Sequence, residues 1–253
     1  RLEDLIALNA LYRPGPMDLI PSSVARKHGT EVIEYPHPLV EKVLAETYGI
    51  MVYQEQVMQT AQVLGGYSLG GADLLRRAMG KKKPEEMAQH RLLFREGAGK
   101  QGIPPEKADE VFDLMEKFAG YGFNKSHAAA YSLLAYHTAW IKVHYTAEFF
   151  CGNMTVEMDN TDKLKVLHED ALKMGLTFEP PDVNRGGYRF EPVTDKVIRY
   201  GLGAIKGSGQ AAIEAIIAAR NGQGPGPQGH VQGPFKSLWD FCTRVDRAKL
   251  NKR

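Results

Sequence analysis

Apolar positions recur every three to four residues through most of the first 150 residues, and proline and glycine cut that rhythm into helical lengths. "LEDLIALNALY" runs in this rhythm and stops at "RPGPMDLIP", where three prolines and a glycine force a loop. "HPLVEKVLAETYGI" reads as a helix with Pro38 near its start and Gly49 at its stop. "VYQEQVMQTAQVLGG" sets Val57, Ala61 and Leu64 on one buried face. "GGADLLRRAMGKKKP" is a short helix closed by Gly80, a lysine run and Pro84. "PEEMAQHRLLFREGAGKQG" continues as helix, with Glu85 and Glu86 in the first turn, where the dipole favours acid. "PPEKADEVFDLMEKFAGYG" repeats the grammar of a proline start and a glycine stop.

The segment 126–150 departs from this amphipathic pattern. Between Ser126 and Tyr145 its one formally charged side chain is Lys142. A helix apolar nearly all round is expected to be buried. At 1.5 Å per residue it would span roughly 35 Å, enough to organise a domain. Past Asp159, "NTDKLKVLHEDALKMG" reads as an exposed amphipathic helix. "YRFEPVTDKVIRYGLG" then alternates like a β-hairpin, with Tyr188, Phe190, Val197 and Ile198 as strand residues. "SGQAAIEAIIAARNG" is a further helix, and "GQGPGPQGHVQGP" reads as a flexible loop.

The pattern therefore predicts a mostly α fold: many helices round a long buried helix at about 126–150, with a small β-hairpin at about 188–200. One domain is expected over 1–221, with a helical core at 1–150 and a helix-plus-hairpin lobe at 151–221. A Gly/Pro-rich surface loop at 222–234 and a following helical region at 235–253 complete the division.

Composition narrows the class. The 253 residues suffice for one large or two modest domains, and 43% apolar with 25% charged residues is ordinary for a soluble globular protein. Cys151 and Cys242 lie far apart, which argues against a disulfide framework and for a reducing, cytoplasmic setting. No signal-peptide pattern opens the chain and no run of about 18 apolar residues marks a membrane span. Arg1 stands where an initiator Met would, and both ends fall within helical patterns, so the chain reads as an excerpt of a longer protein. The net charge of +2 hides a basic district: Arg76 to Lys100 holds eight Lys/Arg against three Glu. That district suits a polyanion or a solvated face equally.

The sharpest motif is "GYGFNKSH", a glycine-punctuated turn that feeds the apolar helix. Free N–H groups and the positive dipole end at a helix start form an anion site. Lys125 adds a charge there, Asn124 an amide, and Ser126 a capping hydroxyl. His127 and Tyr131, four apart, share a face. A capped buried helix whose lysine merely reaches solvent is the plainer reading. In "LLRRAMGKKK", Arg76 and Arg77 lie about 100° apart on the helix, so one is expected to bind phosphate and the other to pack or pair with acid. Lys81, Lys82 and Lys83 follow as phosphate-backbone contacts, or as a solubilising helix end.

In "YGLGAIKGSGQ", a dinucleotide fingerprint fails by one residue, because Lys206 stands where glycine is needed. The stretch is closer to a helix-hairpin-helix turn, in which Lys206, Gly207 and Gly209 would face a DNA phosphate. His137 and His144 lack a third ligand and read as core histidines. No D-x-D pair of carboxylates occurs.

"GGADLLRRAMGKKKPEEMA" and "FDLMEKFAGYGFNKSHAAAYSLLAYHTAWIKVHYTAEFF" strongly resemble the fingers region of the bacterial replicative DNA polymerase III α-subunit family. "ALYRPGP", "MVYQEQVM", "VEMDNTDK", "YGLGAIKG" and "DRAKLNKR" keep that family's order along the whole chain. The stretch 222–234 departs from it, being longer than is usual. The resemblance implies template-directed addition of a deoxynucleoside triphosphate to a primer, with Mg2+ held by aspartates of a palm domain that precedes the fingers. It implies that Arg76 or Arg77, with Lys125, meets the triphosphate of the incoming nucleotide. Tyr121 and Asn124 would shape the pocket and His127 would lie near the sugar. Primer–template DNA is the implied partner. Contacts to the sliding clamp, clamp loader and proofreading exonuclease would lie mainly in other regions, and no membrane is involved. A segment without the palm carboxylates is expected to be inactive alone. A non-enzymatic nucleic-acid-binding module and the fingers of an error-prone relative remain the alternatives.

Overall fold

The computed structural model describes residues 1–81 and 84–250. The expected DNA contacts Lys82 and Lys83 lie outside the described residues. The chain forms two compact units, Arg1–Ala135 and Tyr136–Arg253.

In the first unit, α1 (Leu2–Leu11) and α2 (Ile20–Lys27) precede the single helical turn α3 (Glu41–Leu44). The helices α4 (Gln54–Gly65), α5 (Leu69–Lys81), α6 (Pro84–Gly99) and α7 (Pro105–Ala119) follow. These four bury Val57, Leu64, Leu75, Met79, Phe94, Phe112 and Met115 in one core. The face expected on α4 is the buried one, with Val57, Ala61 and Leu64 all within 1% of full burial. The helix expected over "HPLVEKVLAETYGI" is instead α3 between two 3-10 turns, Pro38–Val40 and Ala45–Thr47. The Thr47 hydroxyl donates to Ile50 O at 2.6 Å, and Tyr48 turns left-handed at φ +54°, so the helical ladder cannot continue.

The long helix α8 (Lys125–His144) starts in the first unit, and the boundary between the units falls within it. Its expected span and burial both need correction. The chain breaks at Tyr145 and resumes as α9 (Thr146–Val156). Only Ala128 and Ser132 of α8 are buried, while Tyr131, Leu134 and Tyr136 are each more than half exposed. Its contact with α1 is a narrow stripe, in which Asn9 Nδ2 donates to Ala128 O and Ser132 Oγ, both at 3.4 Å. An all-round apolar sequence names no preferred face, and small residues took the buried one. His137 and His144 are likewise exposed rather than in a core.

In the second unit, α9 and α10 (Thr161–Lys173) pack on a three-stranded sheet through Phe150, Met154, Leu164, Phe190 and Ile198. The expected hairpin forms from β2 and β3, here Glu191–Thr194 and Val197–Arg199. A further strand, β1 (Thr177–Glu179), adds in parallel to β3, pairing Phe178 with Ile198. Three residues leave too short a pattern to read from sequence. The sheet leads through a 3-10 turn to α11 (Gln210–Arg220) and, after the Gly/Pro-rich stretch, to α12 (Leu238–Arg244).

That stretch is folded against a buried cation. The Arg244 guanidinium donates to Gly233 O at 2.7 Å, Ala219 O at 3.0 Å and Pro234 O at 3.3 Å, and lies over the Phe235 ring. Gly224 and Gly226 crowd the backbone at Thr243 and Arg244 so closely that a Cβ at either would stand 2.2–2.3 Å from a carbonyl oxygen. Glycine there permits close approach, so the sequence signal for flexibility marks tight packing instead.

Candidate functional site

The site is built on the first turn of α4. Residues 52–54 run alongside the glycine-punctuated turn: Phe123 N donates to Val52 O at 3.2 Å and Gln54 N donates to Phe123 O at 3.0 Å. The buried Gln56 side chain fixes this start by accepting from Val52 N at 2.8 Å and Tyr53 N at 3.0 Å. On the other side of the turn, the Arg13 guanidinium covers the Phe123 ring and donates to Tyr121 O. The Tyr121 ring lies on Gly15, whose φ of +100° and lack of a Cβ make room for it.

Asn124, not Ser126, caps α8: its Oδ1 accepts from His127 N at 2.8 Å. The helix starts one residue earlier than the sequence suggests, so the asparagine reaches the third backbone N–H of its own helix. The anion at this helix start belongs to the chain. Both oxygens of Glu55 accept from Lys125 N, at 3.0 and 3.1 Å, and Oε1 also accepts from Asn124 Nδ2 at 3.1 Å. The expected open anion position is thus filled by a carboxylate. The Lys125 ammonium turns the other way, donating to Glu46 at 2.6 Å and lying 5.5 Å from the centre of the Tyr53 ring. Burial, with Glu46 and Glu55 nearby, pushes the Tyr53 phenol well above its ordinary value.

The two arginines of α5 share one acid. Asp73 Oδ1 takes Arg76 at 2.7 Å and Oδ2 takes Arg77 at 2.8 Å, one at i+3 and the other at i+4. Hydrogen bonds from Arg76 lead the causes that hold the Asp73 carboxyl below its usual range. The 100° between the arginines is spanned by one carboxylate with two oxygens, so both pair with acid rather than one alone. Their surroundings differ. Arg76 also donates to Gln54 Oε1 at 3.0 Å and is 29% exposed, whereas Arg77 is 62% exposed.

Arg76, Asn124 and Lys125 are therefore gathered round the α4 start, with Tyr121 beside them on the turn. His127 is exposed on α8, its ring between Phe123 (5.5 Å between centroids) and Tyr131 (4.7 Å). Lys81 is exposed at the end of α5. Lys206, Gly207 and Gly209 stand in the second unit, exposed on the turn that enters α11. Gly209 is the N-cap residue without a side-chain bond, and the Ser208 hydroxyl closes the turn on Ile205 O at 2.6 Å. Gln54, Glu55, Glu46, Asp73 and Arg13 complete the site without a motif of their own in the sequence. The one available signal was Glu55 in the first turn of a helix, where acid is common for its own sake.

Among the described residues, no group of three or more His, Cys, Asp or Glu side chains is placed to hold a metal ion, and no helix is long and apolar enough to cross a membrane. Glu46, Glu55 and Asp73, the carboxylates nearest the site, are each engaged by a cation or by backbone N–H.

Comparison with known proteins gives two family matches. Residues 1–102 match the bacterial DNA polymerase III alpha subunit finger domain, and residues 175–253 match a helix-hairpin-helix motif. Over its full length the chain is 61% identical to the DNA polymerase III subunit alpha of Neisseria meningitidis serogroup B and 60% identical to that of Xylella fastidiosa strain Temecula1. It is 55% identical, over 99% of its length, to that of Escherichia coli K12. The chain spans about a fifth of the length of these relatives, 21%, 20% and 22% respectively.

Proposed function

The chain belongs to the bacterial DNA polymerase III alpha-subunit family, as the stretch that includes its finger domain, and from that premise we propose that it is the nucleotide-gripping part of a replicative DNA-directed DNA polymerase. The observation that carries this reading is the meeting of Arg76 and the Asn124–Lys125 turn at the first turn of α4. Two cations from different helices, each held by a carboxylate, suit a triphosphate that arrives with its own charge and exchanges for those partners.

The reaction joins the primer 3′-oxygen to the α-phosphorus of a deoxynucleoside triphosphate and releases pyrophosphate. The residues of this chain bind and orient the triphosphate: Lys125 and Arg76 neutralise its charge, Asn124 and Tyr121 border it, and His127 lies toward the sugar. Arg77, more exposed, serves the same anion from the solvent side. The residues present do not fit a divalent metal, as their nearby carboxylates are engaged elsewhere. The metal that polymerases use is held by other parts of the longer polypeptide, and the segment alone is inactive.

The second unit contributes DNA binding. Its helix-hairpin-helix match supports duplex phosphate contacts by Lys206 and the backbone of Gly207 and Gly209 at the entrance to α11. Lys81, exposed at the end of α5, adds a further phosphate contact. Such a protein acts in the cytoplasm, on primer–template DNA.

Primer extension tests the division of roles. The full-length subunit is expected to extend a primer with Mg2+ and all four nucleotides, and the 253-residue chain is not. Extension by the isolated chain would show the division to be wrong. A purely DNA-binding module, the rival reading, would bind primer–template equally with and without the next nucleotide; for a nucleotide grip the correct triphosphate is expected to strengthen binding.

A further inference from the structure

We infer that Gln54 and Glu55, neighbours in the first turn of α4, are positioning residues that hold the two halves of the phosphate grip in register; this rests on the proposed role of Arg76 and Lys125. Each reaches a different element. Gln54 Oε1 accepts from Arg76 Nη1 on α5 at 3.0 Å, and Glu55 accepts from Lys125 N and Asn124 Nδ2 at the head of α8. The backbone beneath them is fixed as well, since Gln54 N donates to Phe123 O in the same turn. The spatial relation between Arg76 and Lys125 therefore runs through two adjacent residues, although the cations lie 49 positions apart in sequence.

The chemistry of the pair matches that task. The neutral amide of Gln54 orients Arg76 without cancelling its charge, so the guanidinium keeps its attraction for an anion. Asp73 holds Nε and Nη2 of the same group, and Gln54 adds a bond to Nη1. Three bonds from two elements fix a planar fork that a single carboxylate on its own helix would leave free to swing, and the Gln54 bond stays when the triphosphate takes the place of Asp73. The Glu55 carboxylate makes its bonds to the backbone N–H and an amide, while the Lys125 ammonium pairs with Glu46. Neither member of the strut neutralises the cation that it positions.

The test is a double-mutant cycle in the full-length α subunit, read by single-nucleotide incorporation, primer–template Kd and thermal melting. Gln54→Ala is expected to raise nucleotide KM about 5- to 10-fold, less than the loss of a direct charged contact because Asp73 still holds Arg76, with primer–template Kd within about two-fold. In an Arg76→Ala background the same change should add nothing, because its effect passes through Arg76. Glu55→Ala should behave likewise toward Lys125→Ala. If Gln54→Ala loses the fold, Gln54→Met keeps the side-chain bulk, removes the acceptor and carries the test. A wild-type KM for the Gln54 variants beside an impaired Arg76→Ala would overturn the strut and leave the proposed grip standing, as would fully additive losses. A wild-type KM for Arg76→Ala would overturn the grip and the strut together.

Discussion

Glu55 accepts the Lys125 backbone N–H with both carboxylate oxygens, at 3.0 and 3.1 Å, so the positive end of α8 is satisfied from within the chain. The consequence concerns which groups remain to meet a phosphate. The backbone N–H that opens the helix is committed. The Lys125 ammonium and the Arg76 guanidinium are held by side-chain carboxylates, and those ion pairs are partly exposed, with Lys125 40% and Arg76 29% exposed. Partly exposed ion pairs exchange readily for a more highly charged anion, because each is worth little by itself.

His127 offers a prediction about sugar choice. Its ring lies between Phe123 and Tyr131, so its direction is fixed by aromatic neighbours on both sides. A rigid wall beside the sugar would exclude a 2′-hydroxyl. His127→Ala in the full-length polymerase is expected to raise ribonucleotide incorporation relative to deoxyribonucleotide, with the melting temperature unchanged. Matched nucleotide pairs on one template measure this. An unchanged ratio would make His127 part of the helix surface only.

Arg244 predicts the behaviour of the Gly/Pro-rich stretch. The side chain is 1% exposed and donates to Ala219 O, just before 222–234, and to Gly233 O, near the end of that stretch. Arg244→Met removes those donors, leaves the Gly233 and Pro234 carbonyls without their Arg244 partner, takes from Asp240 its cation, and should cost about 3 kcal/mol. Limited proteolysis should then cut within 222–234, where the wild-type chain resists. Equal resistance in both proteins would show that the loop is held by other contacts.

The two cysteines should differ in reactivity. Burial, aided by the charges of Glu148 and Glu191, pushes the Cys151 thiol up to about 12. The thiolate is the reactive form, so at pH 8.5 less than about one Cys151 in a thousand is available for attack. Cys242 is only half-buried. Alkylation at pH 8.5 followed by peptide mapping is expected to mark Cys242 first and Cys151 only after denaturation. Early labelling of Cys151 would show that α9 opens readily.

Much of the helical order was legible because local signals wrote it. Val57, Ala61 and Leu64 keep helical spacing and are buried together, and Pro105 opens α7 as its position implies. The turn before α8 announced itself through its glycines, Asn124 and Lys125. What escaped was long-range. Glu55 meets Lys125 across 70 positions and Glu46 meets it across 79, and no periodicity links such residues. Burial of α8 was misjudged because composition gives the capacity to be buried and says nothing of which neighbours arrive. The glycines of 222–234 signal flexibility and close packing alike, and Arg244, which decides between them, lies outside the stretch.

A grip of Arg76 and Lys125 on the nucleotide's triphosphate is tested by comparing nucleotide and DNA binding in one pair of variants. Arg76→Ala and Lys125→Ala, each in the full-length polymerase, remove a charge-assisted contact worth about 1.5–3 kcal/mol. That corresponds to roughly 10- to 100-fold in kcat/KM for the nucleotide. That loss is expected in both variants, with primer–template Kd changed by less than about three-fold. If both keep the wild-type nucleotide KM and instead lose affinity for primer–template DNA, these residues belong to the DNA track and do not grip the triphosphate.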